Sequence, residues 1–96
     1  MKKTTFYSMV RENGQNIAKR QEGYTDGIFN YYKKGSSWFV IHPVNGLSIC
    51  SDNTRKAAAE RATAPAMLER IAAALERQQH AADIFAAAVE KAKEAA

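Results

Sequence analysis

The last third of the chain repeats every seven residues. From Leu68 it reads LERIAAA, LERQQHA, ADIFAAA and VEKAKEA. The first and fourth places of each unit hold Leu68 and Ile71, Leu75 and Gln78, Ala82 and Phe85, and Val89 and Ala92. Alternating spacings of three and four draw one stripe along a helix. A helix of about 28 residues is about 42 Å long at 1.5 Å per residue. A domain of this size has a radius of gyration of only about 13 Å. The helix must therefore cross the whole body or reach past it.

The places beside the stripe decide how it is used. In heptad letters, with Leu68 at a, the e positions are Ala72, Gln79, Ala86 and Lys93, and the g positions are Ala74, Ala81, Ala88 and Ala95. A two-stranded coiled coil places paired Glu and Lys there. Alanines instead give a wide, shallow apolar surface, suited to packing on a sheet or in a multi-helix contact. Gln78 interrupts the stripe and is costly to bury without a partner. It marks a point where the helix can leave its own core. Beyond it, Ala82, Phe85 and Val89 continue the stripe and Ile84 lies just off it. These residues with Gln78 form the candidate face for a second molecule, including a second copy of this chain.

The first half has a different period. Residues 4–10 carry β-favouring side chains, Asn13-Gly14 is a strong two-residue hairpin signal, and Ile17 to Gln21 returns. Glu22-Gly23 and Asp26-Gly27 break the pattern, so the middle segment reads as a loop or a bulged edge. Residues 27–32 and 38–42 read as strands around the turn Lys33 to Ser37. Pro43-Val44-Asn45-Gly46 turns the chain into a last strand ending at Cys50. Ser51-Asp52-Asn53-Thr54 is dense in N-cap residues, and Pro65 suits the first turn of a helix. The expected fold is α+β: an antiparallel sheet of four or five strands over residues 4–50, a short helix over about 54–62 and a long C-terminal helix over about 65–94. Ninety-six residues suit one domain with one core, a β-meander over 1–50 and a helical part over 51–96.

Charge and chemistry narrow the function. Residues 1–56 carry nine Lys or Arg against four Asp or Glu, so the net charge of +4 belongs to the first half. A basic half suits nucleic acid or an acidic protein surface. No apolar run approaches the ~20 residues of a membrane span. Thr4 to Met9 is too polar and short for a signal-peptide core, so a cytoplasmic location is expected. Cys50 is the only cysteine, which leaves no intrachain disulfide and no cysteine-based zinc site. It reads as a buried or half-buried strand residue. Glu76, His80 and Asp83 have the spacing of one helix face but imply no fourth metal ligand, and they read as surface polar residues. His42 before Pro43 reads as a turn histidine. No phosphate-cradling glycine loop and no carboxylate pair is visible. The expectation is a non-enzyme with no metal and no cofactor.

The strongest site signal is an aromatic and basic hairpin. Tyr31, Tyr32, Lys33 and Lys34 run into the turn, and Trp38 and Phe39 return. Strand neighbours alternate faces, so one aromatic set faces the core and the other lies on the open face. Exposed aromatics beside lysine can anchor a protein surface or stack bases and neutralise phosphates.

The segment Trp38 to Ala62, WFVIHPVNGLSICSDNTRKAAAERA, resembles a strand–turn–strand–helix unit of small phage and plasmid accessory proteins. With its size and lack of catalytic motifs, the chain is similar to anti-CRISPR and related anti-defence proteins. No functional residue is carried over. The basic first half departs from the acidic DNA mimics among them, so the resemblance implies steric blocking of a protein surface. The leading expectation is thus a non-enzymatic protein-binding module, a mobile-element inhibitor of a CRISPR-Cas or other host defence complex. The alternative is a small basic nucleic-acid-binding protein using the aromatic-basic hairpin.

Overall fold

The structure, a computed structural model, describes residues 1–95. It is an α+β fold. Five strands, β1 (Lys2–Glu12), β2 (Gln15–Thr25), β3 (Asn30–Lys34), β4 (Ser37–Ile41) and β5 (Ser48–Asp52), pair in chain order as an antiparallel meander. Three helices follow: α1 (Arg55–Ala62), α2 (Pro65–Arg77) and α3 (Gln79–Ala95).

Local chemistry explains most boundaries. Asn13 and Gly14 both take positive φ, 51° and 77°, as a tight two-residue hairpin requires. The Thr54 hydroxyl accepts the Ala57 N–H at 3.1 Å and caps α1. At its other end the Thr63 hydroxyl donates to the Ala59 carbonyl at 2.7 Å. Pro65 occupies the first turn of α2, where its missing N–H costs no helical bond.

Two expectations are corrected. β2 does not stop at Gly23 but continues to Thr25, pairing Tyr24 with Tyr31 and Thr25 with Asn30. Glycine is needed there because a Cβ would strike the Tyr31 carbonyl of the adjacent strand. The chain turns at Asp26 instead, whose Oδ1 accepts the N–H groups of Ile28 and Phe29, each at 2.8 Å. The second correction concerns the long helix, which is broken at Gln78. There φ is −118° and ψ 39°, and the Gln78 carbonyl accepts the Ala81 N–H at 2.9 Å. The five-residue run Glu76 to His80 is wholly polar and exposed, so no apolar burial holds the two halves in line. The body measures 34 Å along its longest axis, shorter than a straight helix of this length. Breaking it lets α3 pack on β2.

The core lies between the sheet and α1. Phe29, Tyr31 and Val40 are buried against Ala58 and Ala62 of α1, with Trp38, Ile49, Cys50 and Ile71 packed around them. Ala58 and Ala62, four residues apart, share one face, and their small side chains let the helix sit close on β4 and β5. α3 turns Phe85 inward over Gly46, which has φ 68° and no room for a Cβ beneath the ring.

Candidate functional site

Strand alternation splits the expected aromatic set into two faces. Tyr24, Tyr31, Val40 and Cys50 are cross-strand neighbours and form one rung beneath the helices. Tyr31 is fully buried, so it is a core residue rather than a partner contact. Its hydroxyl donates to Asp26 Oδ2 at 2.6 Å. Burial, and then the Asp26 carboxylate, push the Tyr31 phenol well above its ordinary range. Burial alone would raise Asp26. The bonds from Phe29 N–H, Tyr31 hydroxyl and Ile28 N–H together outweigh it and hold Asp26 below its usual value.

Lys33 and Trp38 pair across β3 and β4 on this helix-bearing face. Trp38 lies 6.0 Å from the Tyr24 ring, and the Arg55 guanidinium sits 4.1 Å above the Tyr24 centroid and 5.8 Å from that of Trp38. This cation–π cluster ties the first turn of α1 to the sheet. Trp38 is thereby half-buried and packed against the core rather than presented openly.

Tyr32, Phe39 and Lys34 take the opposite face. Tyr32 and Phe39 are direct cross-strand partners, and their rings stack at 5.6 Å with 25° between planes. Phe6 of β1, unmarked in the sequence reading, joins them 6.1 Å from Tyr32 at 59°. Gly23 makes this possible, since a Cβ there would sit 3.2 Å from the Phe6 ring. With no side chain on β2 in the way, Phe6 leans across it. The result is a half-buried aromatic row on the face away from the helices. Lys2, Lys19 and Lys34 share its strand parity and are exposed, while Glu12 at the hairpin end is the acid of that parity on β1 to β4. Phe6 had one readable signal: it alternates with Thr4 and Ser8, which places it on a single face.

The row ends at a free sheet edge. The Met9 N–H donates to the Gly46 carbonyl at 2.8 Å, so β1 curls round to the turn between β4 and β5. That bond fixes which groups point outward. Lys3, Thr5 and Tyr7, of the same parity as Met9, also turn N–H and C=O away from β2. They have no backbone partner among the described residues.

The candidate helix face is also divided. Phe85 is buried within its own fold, so it is not a partner contact. Ala82 and Val89 flank it half-buried on the same inward side, whereas Gln78 and Ile84 are exposed. A dimer seam along this stripe would have to displace Phe85 from Gly46.

The remaining reactive groups have structural jobs. His42 Nδ1 accepts the Val44 N–H at 3.1 Å, and its ring meets Phe29 edge-on at 5.8 Å. Burial lowers its pKa, favouring the neutral ring. Burial also pushes the Cys50 thiol up, against the opposing pull of Arg61, and its sulfur lies 3.9 Å from the Ala58 carbonyl. The break at Gln78 puts Glu76 on α2 and His80 and Asp83 on α3, so they no longer share one helix. Among the described residues, no group of three or more His, Cys, Asp or Glu could hold a metal ion. Among the described residues, no helix is long and apolar enough to cross a membrane. The chain matches no family model, no curated protein and no solved structure at a significant level.

Proposed function

We propose that this chain is a non-enzymatic module that binds a protein partner on the open face of its sheet, with Phe6, Tyr32 and Phe39 as the anchor. The ring packing carries this reading. Base stacking needs an open ring face. Here Tyr32 and Phe39 turn their faces to each other, and Phe6 closes on Tyr32 from the other side. The row offers ring edges and a phenol hydroxyl, the form of a preorganised aromatic anchor for a protein pocket. The free edge of β1 beside Phe6 gives an extended partner segment a place to pair. The resemblance of residues 38–62 to mobile-element accessory proteins supplies the class of partner: a CRISPR-Cas or other host defence complex, blocked by occupation of its surface.

The test is capture from nuclease-treated host lysate by wild type and by Tyr32→Ser/Phe39→Ser. Neither side chain belongs to the core cluster under α1, and an unchanged urea midpoint would show that the variant folds. Wild type should retain a protein that the variant loses by tenfold or more. Equal retention by both would remove this face from the account.

The shared face of Lys2, Lys19 and Lys34 favours one second reading, a single-strand nucleic-acid contact. Three phosphate contacts predict a slope of about −2 for log affinity against log salt. Absence of oligonucleotide binding at low salt removes that reading.

A further inference from the structure

A cleft of about 350 Å³ separates α2 from the turn and strand that follow β4. Its apolar wall includes Leu47 and Ile49 on one side and Ile71 and Leu75 on the other. α2 has a strong apolar stripe yet no fully buried side chain: Ile71 borders both the core and this gap, Leu75 faces the gap, and Leu68 is exposed. The polar groups of the cleft are one-sided in charge. Arg70 and Arg77 line it with His42, and no aspartate or glutamate does.

The helix leaves those two charges unanswered. At three and four residues from Arg70 stand Met67, Ala73, Ala66 and Ala74; around Arg77 stand Ala74, His80, Ala73 and Ala81. None is acidic, and these are the spacings at which helix side chains meet. Glu69 and Glu76 each precede an arginine in sequence but project about 100° away. The arginines lie seven residues apart, about 10.5 Å along the axis, with the small side chains of Ala73 and Ala74 between them. A shallow apolar trough thus carries a guanidinium at each end. The volume is at the lower limit of ligand sites, about 300–1,000 Å³.

We infer that this cleft binds a small amphipathic anion, a carboxylate or phosphate head on a short hydrocarbon body. The body covers the unburied stripe of α2, and the head pairs with Arg70 or Arg77 as a fork-to-oxyanion contact. The site lies apart from the open sheet face, so its fate does not depend on the protein-binding proposal.

The experiment is an amide NMR titration of the full chain with octanoate, octyl phosphate, octanol and octyltrimethylammonium. Octanoate or octyl phosphate should shift amides in residues 42–49 and 67–78, and the tighter of the two names the head group. Octyltrimethylammonium should leave those amides unmoved, and octanol should bind more weakly. Arg70→Gln/Arg77→Gln should weaken anion binding by about tenfold or more, the loss expected when a charged hydrogen-bond partner is removed. Ala74→Phe fills the trough and should abolish binding, with unchanged Tyr31 and Val40 resonances reporting an intact core. Equal shifts with the cation, full affinity in the arginine variant or in Ala74→Phe, or no response to either anion would overturn the assignment.

Discussion

α1 and α2 invert what their sequences advertise. α2 has thirteen residues and a clear apolar stripe, yet it buries none of them fully. α1 has eight residues and little amphipathic contrast, yet two of its alanines are fully buried on the sheet. The difference is in approach distance. Alanines four apart let the α1 backbone come close to β4 and β5, while α2's longer side chains stand over a cleft. Capping follows the same division. Thr54 and Thr63 hold both ends of α1 with side-chain bonds, whereas Ala64 at the start of α2 offers none. A periodic stripe reports what a helix can bury; close packing depends on what lies opposite.

The strongest challenge to this contrast is Ala58→Leu. It forces extra methylenes into a site with no spare volume and should cost about 3 kcal/mol by urea denaturation. A near-neutral result would mean that α1 is not closely seated. Next in size is Tyr31→Phe, which keeps the buried ring and removes the hydroxyl that meets Asp26. A loss of about 1–2 kcal/mol is expected. On α2, Ile71→Ala should cost about 1 kcal/mol, since Ile71 only borders the core, and exposed Leu68→Ala should stay within about 0.5 kcal/mol.

Acidity sharpens the comparison at the floor of the cleft. The folded pKa of His42 lies below its ordinary value of 6.5, through burial. As pH falls through 6.5 the unfolded chain takes up the proton first, so stability is full above that value and declines below it. Protonating Nδ1 also ends the bond from the Val44 N–H. The urea midpoint should therefore be level above pH 7 and fall as pH drops below 6.5, with His42→Gln flattening that fall. Asp26 acts in a separate window: its lowered folded pKa places its loss below 3.8.

Much of the architecture was legible in local chemistry. Asn13-Gly14 set the first hairpin, Thr54 the start of α1 and Pro65 the start of α2. The change from period two to period three or four located the passage from sheet to helix. What escaped depended on contacts between distant residues. Gly23 reads as a break until the Tyr31 carbonyl stands beside it. Gln78 reads as one polar residue in a stripe until the body proves shorter than the helix. The aromatic hairpin was legible as a pair of strands, but alternation alone gives two faces without saying which one the helices cover. That choice buried Tyr31, left Tyr32 and Phe39 half-buried on the opposite face, and gave them Phe6 as a neighbour from β1.

The central claim is that the sheet and α1 form the anchored body while α2 rides over an open cleft. Native-state amide exchange tests it most directly. The amides of Tyr31, Val40, Ala58 and Ala62 should exchange only with global unfolding. Those of Ile71, Ala74 and Leu75 should exchange at least about a hundredfold faster, an opening some 2.7 kcal/mol easier. Equal protection of α1 and α2 would contradict the account.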